Sequence, residues 1–215
     1  MLKNRFVIYG SGGHATSLIG CLQREDIKVL GIIDEFATKT SLFDIPINTL
    51  FPKDSEGSRF LIAIGDNFNR RNITHEVTTR YGIDSIGTFV SSHTYISKSV
   101  DIGRGSVIMP GSYIGAGASI LDGAIVNTGA IIEHECHVSD FVSIAPHATL
   151  AGSARIGKLS HISLGSLVDA KVSVGSNCVL GANSYVREDL EDNCVAIGNP
   201  AKFYKKREIG EKFLK

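Results

Sequence analysis

The densest run of reactive side chains is Glu133-His134-Glu135-Cys136-His137. An imidazole with an ordinary pKa of about 6.5 takes up a proton at neutral pH. A carboxylate beside it orients the ring and favours the imidazolium that forms. Glu135 is the first candidate for that partner and Glu133 the second, while His137 is a weaker competitor for the role of base. The bland alternative is that His134 is an exposed residue with no task. A metal site built from His134, His137, His147 and His161 would need these residues to stack. No two of them stand one coil of the repeat described below apart, so no metal is expected. The cysteines, Cys21, Cys136, Cys178 and Cys194, lack CxxC spacing and give neither a metal site nor a disulfide framework.

A second cluster lies near the start. Gly10-Ser11-Gly12-Gly13-His14 follows a short apolar run, Arg5 to Tyr9, and precedes helix-like spacing at Leu18, Ile19 and Leu22. Such a turn presents backbone N–H groups to a phosphate, although it is shorter than a dinucleotide fingerprint. A tight strand-to-helix turn alone is the other reading. Asp34 and Glu35 end a second strand, Lys28 to Ile33, where a ribose hydroxyl is often bound. Gly65-Asp66-Asn67 ends a third, Arg59 to Ile64, and Asn67 is placed to cap a helix reaching about Tyr81. The three elements can converge on one nucleotide.

Two kinds of scaffold position these residues. Residues 1–85 read as a small Rossmann-like α/β unit. Residues 86–215 follow a different rule, with a large aliphatic at every sixth position from Val90 to Val186 and a small or modest residue four places later, as at Ala130, Cys136 and Ala148. That period fits a two-residue strand and a tight turn, three of which close a triangular coil. The architecture expected is a left-handed parallel β-helix. Ile132 and Cys136 point inward, so His134 between them points out. The α/β unit is expected to cover one end of the solenoid and the tail from Arg187 the other, with Ala196 to Lys202 leading into a short final helix.

Lys plus Arg and Asp plus Glu are both 22, which gives no electrostatic reason to expect nucleic acid or an anionic membrane. No apolar run is long enough to span a membrane. The expectation is a soluble cytoplasmic protein. A purely structural solenoid would not need the glycine-rich unit in front.

With these motifs and with Gly198-Asn199-Pro200-Ala201-Lys202, almost the whole chain resembles the nucleotide-sugar N-acetyltransferases that modify 4-amino-4,6-dideoxy sugars, and the related sialic acid O-acetyltransferases. The resemblance implies a homotrimer in which His134 is the general base, assisted by Glu135. It implies that Gly10, Gly12, Gly13, His14, Asp34, Glu35, Asp66 and Asn67 hold the nucleotide-linked amino sugar. Acetyl-CoA is the implied cosubstrate, lying between neighbouring β-helices along Gly152, Leu164 and Ala182. Ser143 stands where many members carry a second histidine that touches the cofactor, and His147 follows four residues later. A backbone N–H or a well-placed water is expected to stabilise the oxyanion, and Lys158, Lys171 and Arg187 are candidates for the 3′-phosphate of CoA. Acetyl transfer to a sugar hydroxyl and a non-catalytic sugar-nucleotide scaffold are the competing readings.

Overall fold

In the computed structural model, which describes residues 5–50 and 58–212, the chain begins with a small α/β unit. Its strands are β1 (Arg5–Tyr9), β2 (Lys28–Ile33), β3 (Ser41–Leu42), β4 (Ile45–Asn48) and β5 (Arg59–Ile62), in the order β3-β4-β2-β1-β5. β1 pairs in parallel with both β2 and β5, β2 pairs in parallel with β4, and β3 and β4 are antiparallel. α1 (Gly13–Arg24) buries Ala15, Leu18, Ile19 and Leu22, the stripe its sequence spacing predicts. α2 (Asn67–Tyr81) is unusual in burying Asn67 and Arg70 alongside Val77. Its cap is Asp66, whose carboxylate accepts from Asn69 N–H at 2.9 Å, and not Asn67 as expected. The strand before it stops at Ile62, two residues early.

From Phe89 onward the chain is a left-handed parallel β-helix of two-residue strands. Each coil contributes one strand to each of three walls. The first wall contains Tyr95–Ile96, Tyr113–Ile114, Ile131–Ile132, Thr149–Leu150, Leu167–Val168 and Tyr185–Val186. The second runs from Asp101–Ile102 to Ser173–Val174, and the third from Phe89–Val90 to Val179–Leu180. The second residue of each pair points inward, and from Ile108 to Val186 this column is sealed from water. Each buried aliphatic contributes about 2 kcal/mol by the area it removes from water. The small residues between walls, Ala118, Ala130, Cys136 and Ala148 among them, are equally buried, so their size sets how tightly the corner closes.

Two devices of the turn were only half visible in the sequence. The left-handed backbone sits three residues after the inward aliphatic, at Gly117, Gly129, Glu135 and Ser153 for example. The glycines directly after the aliphatic serve close approach instead. At Gly157 an added Cβ would lie 2.5 Å from the backbone of Gly175 and Ser176 in the next coil.

Two expectations about the ends are corrected. The α/β unit leans on the flank of the solenoid and does not cover its end: Phe6, Ile8, Leu18 and Leu22 share one core with the outward Val107, Met109 and Ile125 of the third wall. Val90 is accordingly exposed, and Ile96 and Ile102 are only partly covered. The final helix is instead a hairpin of Cys194–Gly198 and Ala201–Lys206, because Val195 continues the ladder of the third wall opposite Val179. Cys194 and Ala196 of this hairpin join the solenoid core.

Candidate active site

His134 lies at the corner between the first and second walls, with its side chain 62% exposed. The turn that makes this corner puts Glu135 in the left-handed region, at φ 58°. That twist brings Glu135 Oε2 to 3.3 Å from His134 Nδ1. Ionised, the carboxylate is acceptor only, so Nδ1 carries the proton and Nε2 is left with a free lone pair. Ser153, one coil on, donates its hydroxyl to the same Oε2 at 3.1 Å. The Ser153 hydrogen bond first, and the His134 contact second, hold the Glu135 carboxyl below its ordinary range. The pair is thus an imidazole oriented by a carboxylate that Ser153 in turn holds.

The next coil supplies the space. Gly152 stands beside the imidazole, and an added Cβ would lie 2.4 Å from Nε2 and 2.5 Å from Cε1. The Gly152 N–H makes no hydrogen bond among the described residues, while its carbonyl accepts from Lys171 N–H at 2.9 Å. Gly152 and Ser153 are one coil beyond His134 and Glu135. That offset was readable in the sequence, and it would have given Ser153, which sequence reasoning missed. Lys171 occupies the following position of the same corner, and its charge also favours the ionised Glu135. Cys136 is inward and buried, with its thiol raised by burial.

The other histidines are dispersed. His137 lies on the second wall, with Nδ1 2.8 Å from Ser119 Oγ, and the His147 ring covers Gly129 at the corner between the third and first walls. His161 is on the third wall, next to Ser143. Among the described residues no group of three or more His, Cys, Asp or Glu is placed to hold a metal.

The expected nucleotide residues divide into two groups. Gly10, at φ 105°, Gly12 and Gly13 form the turn into α1, and an added Cβ at Gly12 or Gly13 would meet nothing within 4 Å. Asp34 holds that turn: Oδ2 accepts from Ser11 N–H at 2.8 Å and from Ser11 Oγ–H at 2.6 Å, and Oδ1 from Phe36 N–H at 3.0 Å. Glu35 accepts from the Tyr9 hydroxyl at 3.3 Å. Burial, and secondarily the Arg70 charge, pushes the His14 pKa down to about 4; its Nε2 is shielded from solvent with no hydrogen-bond partner among the described residues.

Asn67 is a different matter. Its side-chain amide donates to the carbonyls of Leu159 at 3.0 Å and Ser160 at 2.9 Å, and Ser143 Oγ donates to its Oδ1 at 2.6 Å. The Arg70 guanidinium, completely buried, joins this knot by donating to Asn67 Oδ1 at 2.8 Å and the Gly123 carbonyl at 2.8 Å. Asn67 and Ser143 are therefore interdomain ties. Both are at most 5% exposed, and their polar atoms meet across the two units of the fold.

The remaining cofactor candidates, Leu164 and Ala182, are exposed one coil apart at the corner between the third and first walls. Between that corner and His134 runs the outer face of the first wall. It is apolar and open, with Tyr95 stacked on Tyr113 at 5.0 Å and with Ile131 and Leu167 beyond them. Lys158 is committed to Asp140, at 3.0 Å.

The PglD N-terminal domain family matches residues 5–77. PerB from Caulobacter crescentus, solved with CoA and GDP-perosamine, is 30% identical; the match covers 93% of this chain and 97% of that one, with a TM-score of 0.86. The acetyltransferase domain of PglB from Neisseria gonorrhoeae, solved with acetyl coenzyme A, is 29% identical over 94% of this chain and 100% of that one, with a TM-score of 0.85. WeeI from Acinetobacter baumannii shares the fold, with a TM-score of 0.82 at 20% identity over 93% of this chain and 99% of that one.

Proposed function

Because the chain belongs to the sugar N-acetyltransferases of the hexapeptide-repeat family, we propose that it moves the acetyl group of acetyl-CoA to the C4 amine of a nucleotide-linked 4-amino-4,6-dideoxy sugar, with His134 as general base. The observation that carries this reading is the exposed imidazole whose Nδ1 faces Glu135 and whose Nε2 lies over Gly152. The amine nitrogen attacks the thioester carbonyl, forming the C–N bond, and Nε2 takes a proton from it. The tetrahedral oxyanion is stabilised by the Gly152 N–H, a donor left without a partner among the described residues. As the C–S bond breaks, the imidazolium returns the proton to the departing CoA thiolate. Glu135 acts through His134, fixing its tautomer and favouring its charged form.

Within one chain the α/β unit docks on the third wall, whereas His134 lies at the corner opposite that wall. A sugar nucleotide held by Gly10, Gly12, Gly13, His14, Asp34, Glu35 and Asp66 is thereby separated from its own chain's base by the width of the prism. The reading that resolves this is a homotrimer in which the nucleotide unit of one copy serves the base of the next. The apolar first wall is the surface expected to be covered, with acetyl-CoA running along it past Gly152, Leu164 and Ala182. The division near residue 85 then separates a nucleotide-binding unit from an acyl-transfer unit, and the cytoplasm, where acetyl-CoA is made, is the proposed compartment. None of the helices among the described residues is long and apolar enough to cross a membrane.

CoA-thiol release with 4-amino-4,6-dideoxy sugar nucleotides, run beside their 4-hydroxy counterparts, tests the function. Turnover is expected with the amines alone. Release only with a sugar hydroxyl would move the assignment to O-acetylation, and release with neither would leave a binding scaffold.

A further inference from the structure

Phe36 immediately follows the acidic pair at the C-terminal end of β2, and the residue is 91% exposed. A single exposed apolar residue needs no explanation. What distinguishes this one is how its backbone is held. The Phe36 N–H donates to Asp34 Oδ1 at 3.0 Å, while Asp34 Oδ2 receives both the N–H and the hydroxyl of Ser11, at 2.8 and 2.6 Å. One carboxylate therefore fixes both the residue that bears the ring and the Gly10–Gly13 turn. Its neighbour Glu35 is drawn back to the sheet by the Tyr9 hydroxyl. Gly12 and Gly13 leave open space where side chains would stand, and their turn leads into the N-terminus of a 12-residue helix with no side-chain cap. A phosphate-binding turn and a projecting aromatic ring are thus tied together before any ligand arrives.

We propose that the Phe36 ring is the stacking platform for the base of a nucleoside diphosphate whose pyrophosphate lies on the Gly10–Gly13 turn. This rests on the nucleotide-sugar reading above and adds to it the residue that recognises the nucleoside half. Asp34 has three of its roughly four acceptor positions engaged by Ser11 and Phe36. Its part is to position these elements, and contact with the base falls to the ring. Stacking is tolerant of base identity, because purines and pyrimidines both offer a π-face. The platform therefore supplies affinity for the nucleoside and leaves the choice among bases to other groups.

Calorimetric titration of the full-length protein with UDP, GDP, dTDP and inorganic pyrophosphate tests the proposal. Phe36→Ala is expected to weaken the best-bound nucleoside diphosphate by about tenfold or more, as loss of one base–aromatic stack implies. It should leave pyrophosphate binding unchanged, and Phe36→Tyr should restore the nucleoside affinity. In turnover the loss should appear in KM for the sugar nucleotide and not in kcat. Unaltered nucleoside diphosphate binding in Phe36→Ala overturns the proposal while the nucleotide reading stands. Weakened pyrophosphate binding also overturns it, by showing that the turn itself was disturbed. A change of oligomeric state assigns the ring to a contact between copies and overturns it too. Failure of the unaltered protein to bind any nucleoside diphosphate removes the nucleotide reading, and the proposal with it.

Discussion

Gly152→Ala separates the placement of the base from the stability of the fold. The new methyl would stand 2.4 Å from His134 Nε2, 2.5 Å from Cε1 and 3.2 Å from Cδ2. An ordinary non-bonded contact is about 3.5 Å, so the ring must withdraw by about 1 Å. It can do so cheaply, because the side chain is 62% exposed and Gly152 is not among the left-handed glycines. The melting temperature should therefore stay within about 2 °C, the range of near-neutral surface changes. Catalysis has no such freedom, since a misplacement of about 1 Å costs on the order of 10²-fold. The thiol-release assay should show that loss in kcat, with KM for acetyl-CoA little changed. Gly157→Ala is the contrasting control. Its methyl meets the backbone of Gly175 and Ser176 at 2.5 Å, and forcing two coils apart should cost about 1–3 kcal/mol of stability. Wild-type turnover in Gly152→Ala, or a loss confined to KM for acetyl-CoA, would refute the reasoning.

Glu135→Gln keeps the side chain's shape but removes the anion facing His134 Nδ1, and kcat should fall by about 10- to 100-fold, as for other removed orienting partners. Ser153→Ala, which leaves the carboxylate in place, should cost about tenfold at most, and a larger loss than in Glu135→Gln would contradict the assigned order. His14 and His161 have folded-state pKa values near 4, pushed down first by burial, against 6.5 for the free group. The unfolded chain therefore binds more protons between these values. Stability should be fully present above pH 6.5 and should decline toward pH 4 by on the order of 1 kcal/mol per pH unit for each histidine. Urea unfolding at a series of pH values checks this, and His161→Gln should lower the slope.

The solenoid was legible because its six-residue period reports the direction of every side chain relative to the coil, and the direction of His134 follows from Ile132 and Cys136 alone. The Glu135 carboxylate was legible as a neighbour, but its orientation depends on a left-handed turn that the repeat places at a fixed step without naming the residue. What stayed hidden depends on docking. Asn67 and Ser143 meet because α2 lies against the third wall, and nothing in either local pattern records that contact. An asparagine and a serine beside a glycine turn and a repeat read as ligand contacts until the knot around Arg70 is seen. The tail was misread for a related reason. It becomes a hairpin because the last coil offers Val179 and Leu180 as a pairing edge.

Turnover of His134→Ala, compared with the unaltered protein under saturating acetyl-CoA and a 4-amino sugar nucleotide, is the most direct test of proton removal at this corner. The variant is expected to keep its assembly and nucleotide affinity and to lose about 10²-fold or more in kcat. A variant that assembles, binds nucleotide and turns over at the rate of the unaltered protein would contradict the role assigned to His134.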